Sequence, residues 1–301
     1  AEFILYVNML TWPVASLGWI SSMVQEAEAS QKRINEFLKI TPDIQNSNPN
    51  PTTIEGTIAF KNVSFTYDDT LVTALNNISF TVHKGQTLAI LGKTGSGKSS
   101  IISLISRLYD TTQGNIEIDG QNIKDVNLFD LRNSIACVPQ DAFLFSDTIK
   151  NNIKFGNENA SDDEVTAAAK KAIVHDNIIQ FTDQYETILG ERGITLSGGQ
   201  KQRESIARAL IKDAEILLLD DCLSAVDTET EEQILSNLLD FCKNKTTLIV
   251  SHRVSSAKNA DHIIILEDGQ IIEQGTHNQL VNQNGYYADL YAKQLSEKDL
   301  N

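Results

Sequence analysis

The octet Gly92-Lys93-Thr94-Gly95-Ser96-Gly97-Lys98-Ser99 constrains this chain more than any other stretch, because it fits G-x-x-x-x-G-K-[ST] between a strand and a helix. Residues 87–91, Thr-Leu-Ala-Ile-Leu, read as a buried strand, and residues 100–109 carry Ile101, Leu104, Ile105 and Leu108 at helical spacing. A loop so placed opens a helix N-terminus. There unpaired backbone N–H groups and the positive end of the macrodipole favour a phosphate, and the glycines let the backbone approach it. In such a loop Lys98 reaches the β- and γ-phosphates and the Ser99 hydroxyl takes one position on Mg2+. The alternative is a Gly-rich turn that binds nothing; the flanking strand and helix weigh against it.

A chain of 301 residues is long enough for a large core in one or two domains. Its net charge of −15 argues against a nucleic-acid-binding surface. Cys137, Cys222 and Cys242 show neither metal-ligand spacing nor a disulfide framework, and read as reduced, mostly buried thiols. The chain opens inside an apolar run without a signal-peptide pattern, as expected of a piece whose natural N-terminus is missing.

That run, residues 3–24, holds no charge over 22 residues and as a helix measures about 33 Å, enough to cross a bilayer. Asn8, Thr11, Ser16, Ser21 and Ser22 interrupt it, and Pro13 is expected to kink it, so one face is expected to pack on other helices or line a polar cavity. A hydrophobic docking helix of a soluble protein is the alternative. Residues 25–40 keep helical periodicity with Lys32, Arg33 and Lys39 close by, which places that end in the cytoplasm. Residues 41–55, with Pro42, Pro49 and Pro51, read as a linker.

From Gly56 a second unit begins. Strands are expected at 57–60, 63–67, 78–82, 87–91, 115–119, 135–138, 216–219 and 246–250, with a hairpin near 263–272. Helices are expected at 161–180, behind an N-cap Ser161 with Glu164 three residues on, and at 201–212 and 229–241, with a terminal packing helix around Tyr286, Tyr287, Leu290 and Tyr291. Such alternation indicates an α/β fold with a mainly parallel sheet and mixed strands at its start and end. A phosphate loop also needs an acid to hold magnesium, and Ile216-Leu217-Leu218-Leu219-Asp220 supplies one at a strand end, a Walker B pattern.

Between these motifs, Leu196-Ser197-Gly198-Gly199-Gln200-Lys201-Gln202-Arg203 sets Ser and two glycines at another helix start, a second anion-binding end. This octet resembles the signature motif of ATP-binding cassette (ABC) proteins. Tyr67 resembles the family's adenine-stacking aromatic, Gln140 its Q-loop, Ser224-Ala225-Val226-Asp227 its D-loop and His252 its switch histidine. The segment Gly190-Glu191-Arg192-Gly193 looks like the coupling loop of ABC exporters. The bland readings are an ordinary sheet aromatic for Tyr67 and a strand-end histidine for His252. His83, His175, His262 and His277 read as surface or structural, and Cys222 as a packed thiol.

The resemblance implies a P-loop NTPase of ABC type, with an antiparallel β subdomain and a helical signature subdomain. It divides the chain into residues 1–40, the end of a membrane domain; 41–55, a linker; and 56–301, the nucleotide-binding domain. It implies ATP and Mg2+ as ligands: Gly92, Lys93, Thr94, Gly95, Ser96, Gly97, Lys98, Ser99 and Ser100 on phosphates, Ser99, Gln140 and Asp220 on the metal, His252 on the γ-phosphate. Family members dimerise head to tail, so Ser197, Gly198, Gly199, Gln200 and Asp227 would serve the nucleotide of a second half-transporter subunit. Across a dimer two helix N-termini can clamp one γ-phosphate.

One position departs from the family pattern. After the Walker B Asp most members carry a water-activating Glu, where this chain has Asp221. The shorter carboxylate implies slow hydrolysis, and a heterodimer is favoured over a homodimer, with this chain lending its signature to a competent partner site. The leading reading is thus an ATP-driven exporter subunit of the inner or plasma membrane, with cytoplasmic nucleotide domain, lipid bilayer contact and an unknown exported substrate. A soluble ABC ATPase of DNA repair or translation and a regulatory subunit with little turnover are the rival classes.

Overall fold

The computed structural model describes residues 2–193 and 196–298. Two compact units divide the chain at Gln45/Asn46.

The first unit is dominated by one helix, α1 (Glu2–Leu38), with Pro13 inside it. At 1.5 Å per residue it measures about 55 Å, and it is long and apolar enough to cross a membrane by length and composition. Its apolar side chains are unburied, Trp12 at 78% exposure and Phe3 at 79%. Two of its polar residues turn back on the helix itself: Thr11 Oγ1 donates to the Val7 carbonyl (3.2 Å) and Ser16 Oγ to that of Pro13 (2.8 Å). Hydroxyls satisfied in this way can sit in an apolar surrounding.

In the second unit the chain runs without regular structure to residue 57, yet its polar groups are spoken for. Asp130 accepts from the Thr52 N–H, Asp119 from those of Glu55, Gly56 and Thr57, and the Asn127 amide donates to the carbonyls of Asn48 and Asn50. Strand β1 (Ile58–Thr66) then pairs antiparallel with β2 (Thr73–Val82). The two short strands expected at 57–60 and 63–67 are one, because Asn62 takes a left-handed conformation (φ 49°) and absorbs the register shift as a bulge.

Strand β3 (Thr87–Gly92) is wholly buried and leads through the phosphate-loop octet into α2 (Lys98–Ile105). That helix stops before the expected 109: Arg107 adopts φ 50° and Leu108 is left exposed. Next come β4 (Gln113–Ile118), β5 (Gln121–Asn122), α3 (Leu128–Asn133) and β6 (Ile135–Val138). The helical part follows as α4 (Ile149–Lys154), α5 (Asp162–Lys171) and α6 (His175–Ile178). Ser161 and Glu164 form the expected capping box. The helix expected over 161–180 is nevertheless broken, because Ile173 turns left-handed (φ 55°).

Helix α7 (Gly198–Ile211), strand β7 (Ile216–Asp220), α8 (Thr228–Cys242), β8 (Thr246–Ser251) and the short α9 (Val254–Ala257) continue the alternation. The hairpin β9 (His262–Glu267) and β10 (Gln270–Gly275), with α10 (His277–Asn282) and α11 (Tyr286–Lys298), completes the described part.

Two sheets result, a four-stranded antiparallel one in the order β2-β1-β4-β5 and a six-stranded one in the order β10-β9-β3-β8-β7-β6, parallel except for β10. In the larger sheet Leu91 pairs with Ser251, and Asp220 with Val250. This register brings the carboxyl ends of β3, β7 and β8 to one edge, where open α/β sheets bind ligands. Cys222 and Cys242 are buried, and Cys137 is exposed.

Candidate nucleotide-binding site

Gly97 is the N-cap of α2 at φ 100°, and a Cβ there would lie 2.2 Å from the Ala74 carbonyl oxygen, so no other residue fits. The loop it closes exposes Lys93, Thr94 and Gly95 and buries Ser96 and Lys98. Lys98 Nζ folds back onto the loop, donating to the carbonyls of Gly92 and Lys93 at 2.8 Å each. Burial pushes its pKa down, and Asp221 and Asp220 oppose that shift. Ser99 Oγ donates to Asp220 Oδ1 (3.1 Å). Burial raises the carboxyls of both Asp220 and Asp221, countered at Asp220 by the Ser99 bond and at Asp221 by His252 and Lys98.

The residues present fit a phosphate and a divalent cation. Ser96 Oγ is buried without a hydrogen-bond partner, an orphan that a phosphate oxygen would satisfy. Among the described residues no cluster of three or more His, Cys, Asp or Glu could hold a metal unaided. A cation here would rest on Asp220, Ser99 and phosphate oxygens, the mixed oxygen set that Mg2+ prefers. Tyr67 stands at the margin of the loop, its ring edge-on to Phe65 and Tyr109 and its hydroxyl 3.0 Å from Ser100 Oγ. Gln140 is exposed just beyond β6. His252 follows β8, and its backbone N–H is bonded to the Asp221 carboxylate.

The signature residues form a separate end. Ser197 caps α7, with its hydroxyl accepting from Gln200 N–H (3.3 Å) and the Gln200 side chain accepting from Ser197 N–H (2.9 Å). Gly198 and Gly199 make the first turn, and Asp227 caps α8 through the Thr230 N–H (2.9 Å), the bond that pulls its carboxyl down. Among the described residues no hydrogen bond joins these groups to the phosphate loop. Glu191–Gly193 is a single 3-10 turn. Gln202, which carries no role in the motif reading, ties the elements together. It is buried, accepts from Ala225 N–H (3.1 Å) and donates toward the Gln140 carbonyl (3.4 Å). Its place inside the signature octet was the available clue.

Two turns into α7 lies Glu204, 1% exposed, with Oε1 unpartnered. Burial pushes its carboxyl up to about 8, Arg208 acting in the opposite sense. The folded chain therefore holds a proton that the unfolded chain releases above the ordinary Glu range. Stability falls as pH rises from about 4.5 to about 8 and is flat above that. Replacing Glu204 by Leu is expected to remove this slope and to stabilise by about 4 kcal/mol more at pH 8.5 than at pH 5. Denaturant titrations of both proteins at the two pH values test this; parallel pH dependences would refute it.

A phosphate loop at the edge of a parallel sheet, with an acid on the neighbouring strand, defines a P-loop nucleotide-binding protein. A signature helix inserted between those two motifs narrows the class further, and comparison with known proteins agrees. The family model described as ABC transporter matches residues 75–224. An uncharacterized ABC transporter ATP-binding protein, YknU, of Bacillus subtilis (strain 168) is 44% identical over 98% of this chain and 51% of its own length. ATP-binding cassette sub-family B member 6 of Xenopus tropicalis is 43% identical over 97% of this chain and 34% of its own. The solved structure of a bacterial Atm1-family ABC exporter with ATP bound superposes with a TM-score of 0.86 at 38% identity, covering 96% of this chain and 51% of that one. The chain belongs to the ABC transporter family, and it spans about half or less of the length of these relatives.

Proposed function

We propose that this chain is the ATP-binding and ATP-hydrolysing part of an ABC exporter subunit, in which α1 is the last membrane helix. The observation that carries the reading is the meeting of Lys98, Ser99, Asp220, Asp221 and the His252 loop at one sheet edge, while Ser197–Gln200 caps a different helix. A site so divided is complete when a second nucleotide domain presents its signature end. ATP would lie between the two, and its hydrolysis would release them.

Bound Mg2+ would neutralise charge developing on the β- and γ-phosphates. The chain's own groups do the rest. Lys98 places a buried positive charge in the cradle, Ser96 and the N–H groups of the first turn of α2 donate to phosphate oxygens, and Tyr67 offers a face to the base. Asp221 would orient water, with Gln140 and His252 beside the γ-phosphate. Asp220, Ser99 and Gln140 would hold the metal. Gly92 to Ser100 serve this chain's nucleotide; Ser197, Gly198, Gly199, Gln200 and Asp227 serve the partner's.

Asp221 supports a heterodimer in which this chain's own site is slow. It also favours a second reading, a regulatory subunit with little turnover. Similarity to a solved ABC exporter over 96% of the chain weighs against a soluble ABC ATPase. The test is steady-state Mg-ATP turnover by the purified full-length protein, alone and with a candidate partner, against Lys98→Ala as blank. Silence alone, relieved by a partner with Glu after its Walker B Asp, is the expected result. Turnover alone well above the blank would replace the heterodimer by a homodimer.

A further inference from the structure

The segment that carries His252 leaves two main-chain groups unpaired by regular structure. The His252 carbonyl lies just beyond β8, and the Val254 N–H opens α9, whose N-cap residue Arg253 makes no side-chain cap bond. One side chain satisfies both. Gln294, on α11, donates from Nε2 to the His252 carbonyl (3.0 Å) and accepts the Val254 N–H on Oε1 (2.7 Å). An amide of that length, with a donor and an acceptor side by side, is the group that can bracket Arg253 in this way.

Helix α11 is not free to drift along its axis. Glu273 on β10 accepts the N–H groups of both Tyr286 and Tyr287 and so caps the helix from a neighbouring strand. Gly285 makes room for it, since a Cβ there would lie 2.3 Å from Glu273 Oε1. Tyr287 is fully buried and its hydroxyl meets His277 Nδ1 at 2.6 Å. Gln294 is seven residues further on, two helical turns along the same face. The register set at the first turn of α11 is therefore delivered to the His252 loop.

We propose that Gln294 is a positioning residue for the hydrolytic site, through which the C-terminal helix holds His252 in register with Asp221. The inference rests on the roles assigned above to those two residues. The His252 backbone N–H is bonded to the Asp221 carboxylate, so a shift of the loop displaces both groups at once. Nucleotide affinity, set by the phosphate loop and Tyr67, does not depend on this contact. Displacement of about 1 Å at a reacting group is enough to slow chemistry by orders of magnitude.

The test uses full-length protein with Gln294→Leu, which keeps the bulk and loses both hydrogen bonds, and Gln294→Glu, which keeps only the acceptor for Val254. Gln294→Leu is expected to lower kcat about tenfold with KM for Mg-ATP within about twofold. Amide exchange at Val254 should quicken at least about tenfold in Gln294→Leu and less in Gln294→Glu. In the full-length assembly with its candidate partner, wild-type turnover no higher than the Lys98→Ala blank would remove the hydrolytic reading and this role with it. Turnover well above that blank, with Gln294→Leu at wild-type kcat, would overturn the role of Gln294 alone. A rise in KM matching the fall in kcat, with general loss of amide protection, would equally overturn it in favour of simple packing.

Discussion

Replacing Asp221 by Glu is expected to raise Mg-ATP turnover at this chain's own site by about tenfold to a hundredfold, with nucleotide affinity unchanged. The backbone at Asp221 is held firmly: its N–H donates to the Val250 carbonyl (2.9 Å), and its carbonyl accepts from Ser224 Oγ (3.0 Å). It sits at φ 44°, a left-handed conformation that Asp tolerates better than most residues. With the main chain fixed, the reach of the carboxylate depends on side-chain length alone, and Glu adds one methylene. The companion change Asp221→Asn keeps the shape and removes the base, and should bring turnover to the Lys98→Ala blank while ATP still binds. Turnover is read in the full-length assembly and affinity by equilibrium nucleotide binding. An unaltered rate in Asp221→Glu would mean that the shorter acid already reaches its water, and the weakened-site reading would fall.

What could be read in the linear sequence divides along a physical line. Lys98, Ser99 and Asp220 were legible because each belongs to a short motif whose local geometry, a strand end or a helix start, is set by its neighbours. A mainly parallel sheet followed from the apolar runs and their alternation with helices, whereas the neighbouring order of β3, β8 and β7 is seen only in the fold. Local breaks were not legible. Arg107 and Ile173 take left-handed conformations inside stretches whose apolar spacing continues, so the periodicity pointed to helices that overran, whereas the bulge at Asn62 breaks the apolar alternation and one strand reads as two. The supports of the site were hidden for another reason. Gln202 reaches Gln140 across 62 residues, Gln294 reaches His252 across 42, and Arg253 meets Glu231 across 22. Such pairings are decided by how elements pack, and no single-chain periodicity reports them.

The last of these pairs carries the largest expected effect on stability. Glu231 is fully buried on α8, and it accepts from Arg253, from Ser255 Oγ (2.9 Å) and from Ser256 Oγ (2.8 Å). Arg253, about one-third exposed, also donates to the Ser224 carbonyl (3.2 Å), so one guanidinium joins the D-loop to the residue beside His252. Arg253→Met would strand a buried carboxylate on two hydroxyls, and a loss of about 3 kcal/mol is expected, toward the lower end for an ion pair whose cation is partly hydrated. Glu231→Leu should cost less, because the freed guanidinium can turn to water. The double variant Glu231→Leu with Arg253→Met removes both charges and is expected to be more stable than Arg253→Met alone, by about 1–2 kcal/mol. Denaturant unfolding of the four proteins reads the coupling. If the two single losses simply add, the pair is not acting as a unit, and the D-loop and the His252 loop are held by their other contacts. If the double variant recovers stability while turnover stays low, the ion pair serves less to hold the fold than to keep those two loops in mutual register. A buried charge at a loop junction would then be retained for alignment, since an apolar pair could supply the stability as well.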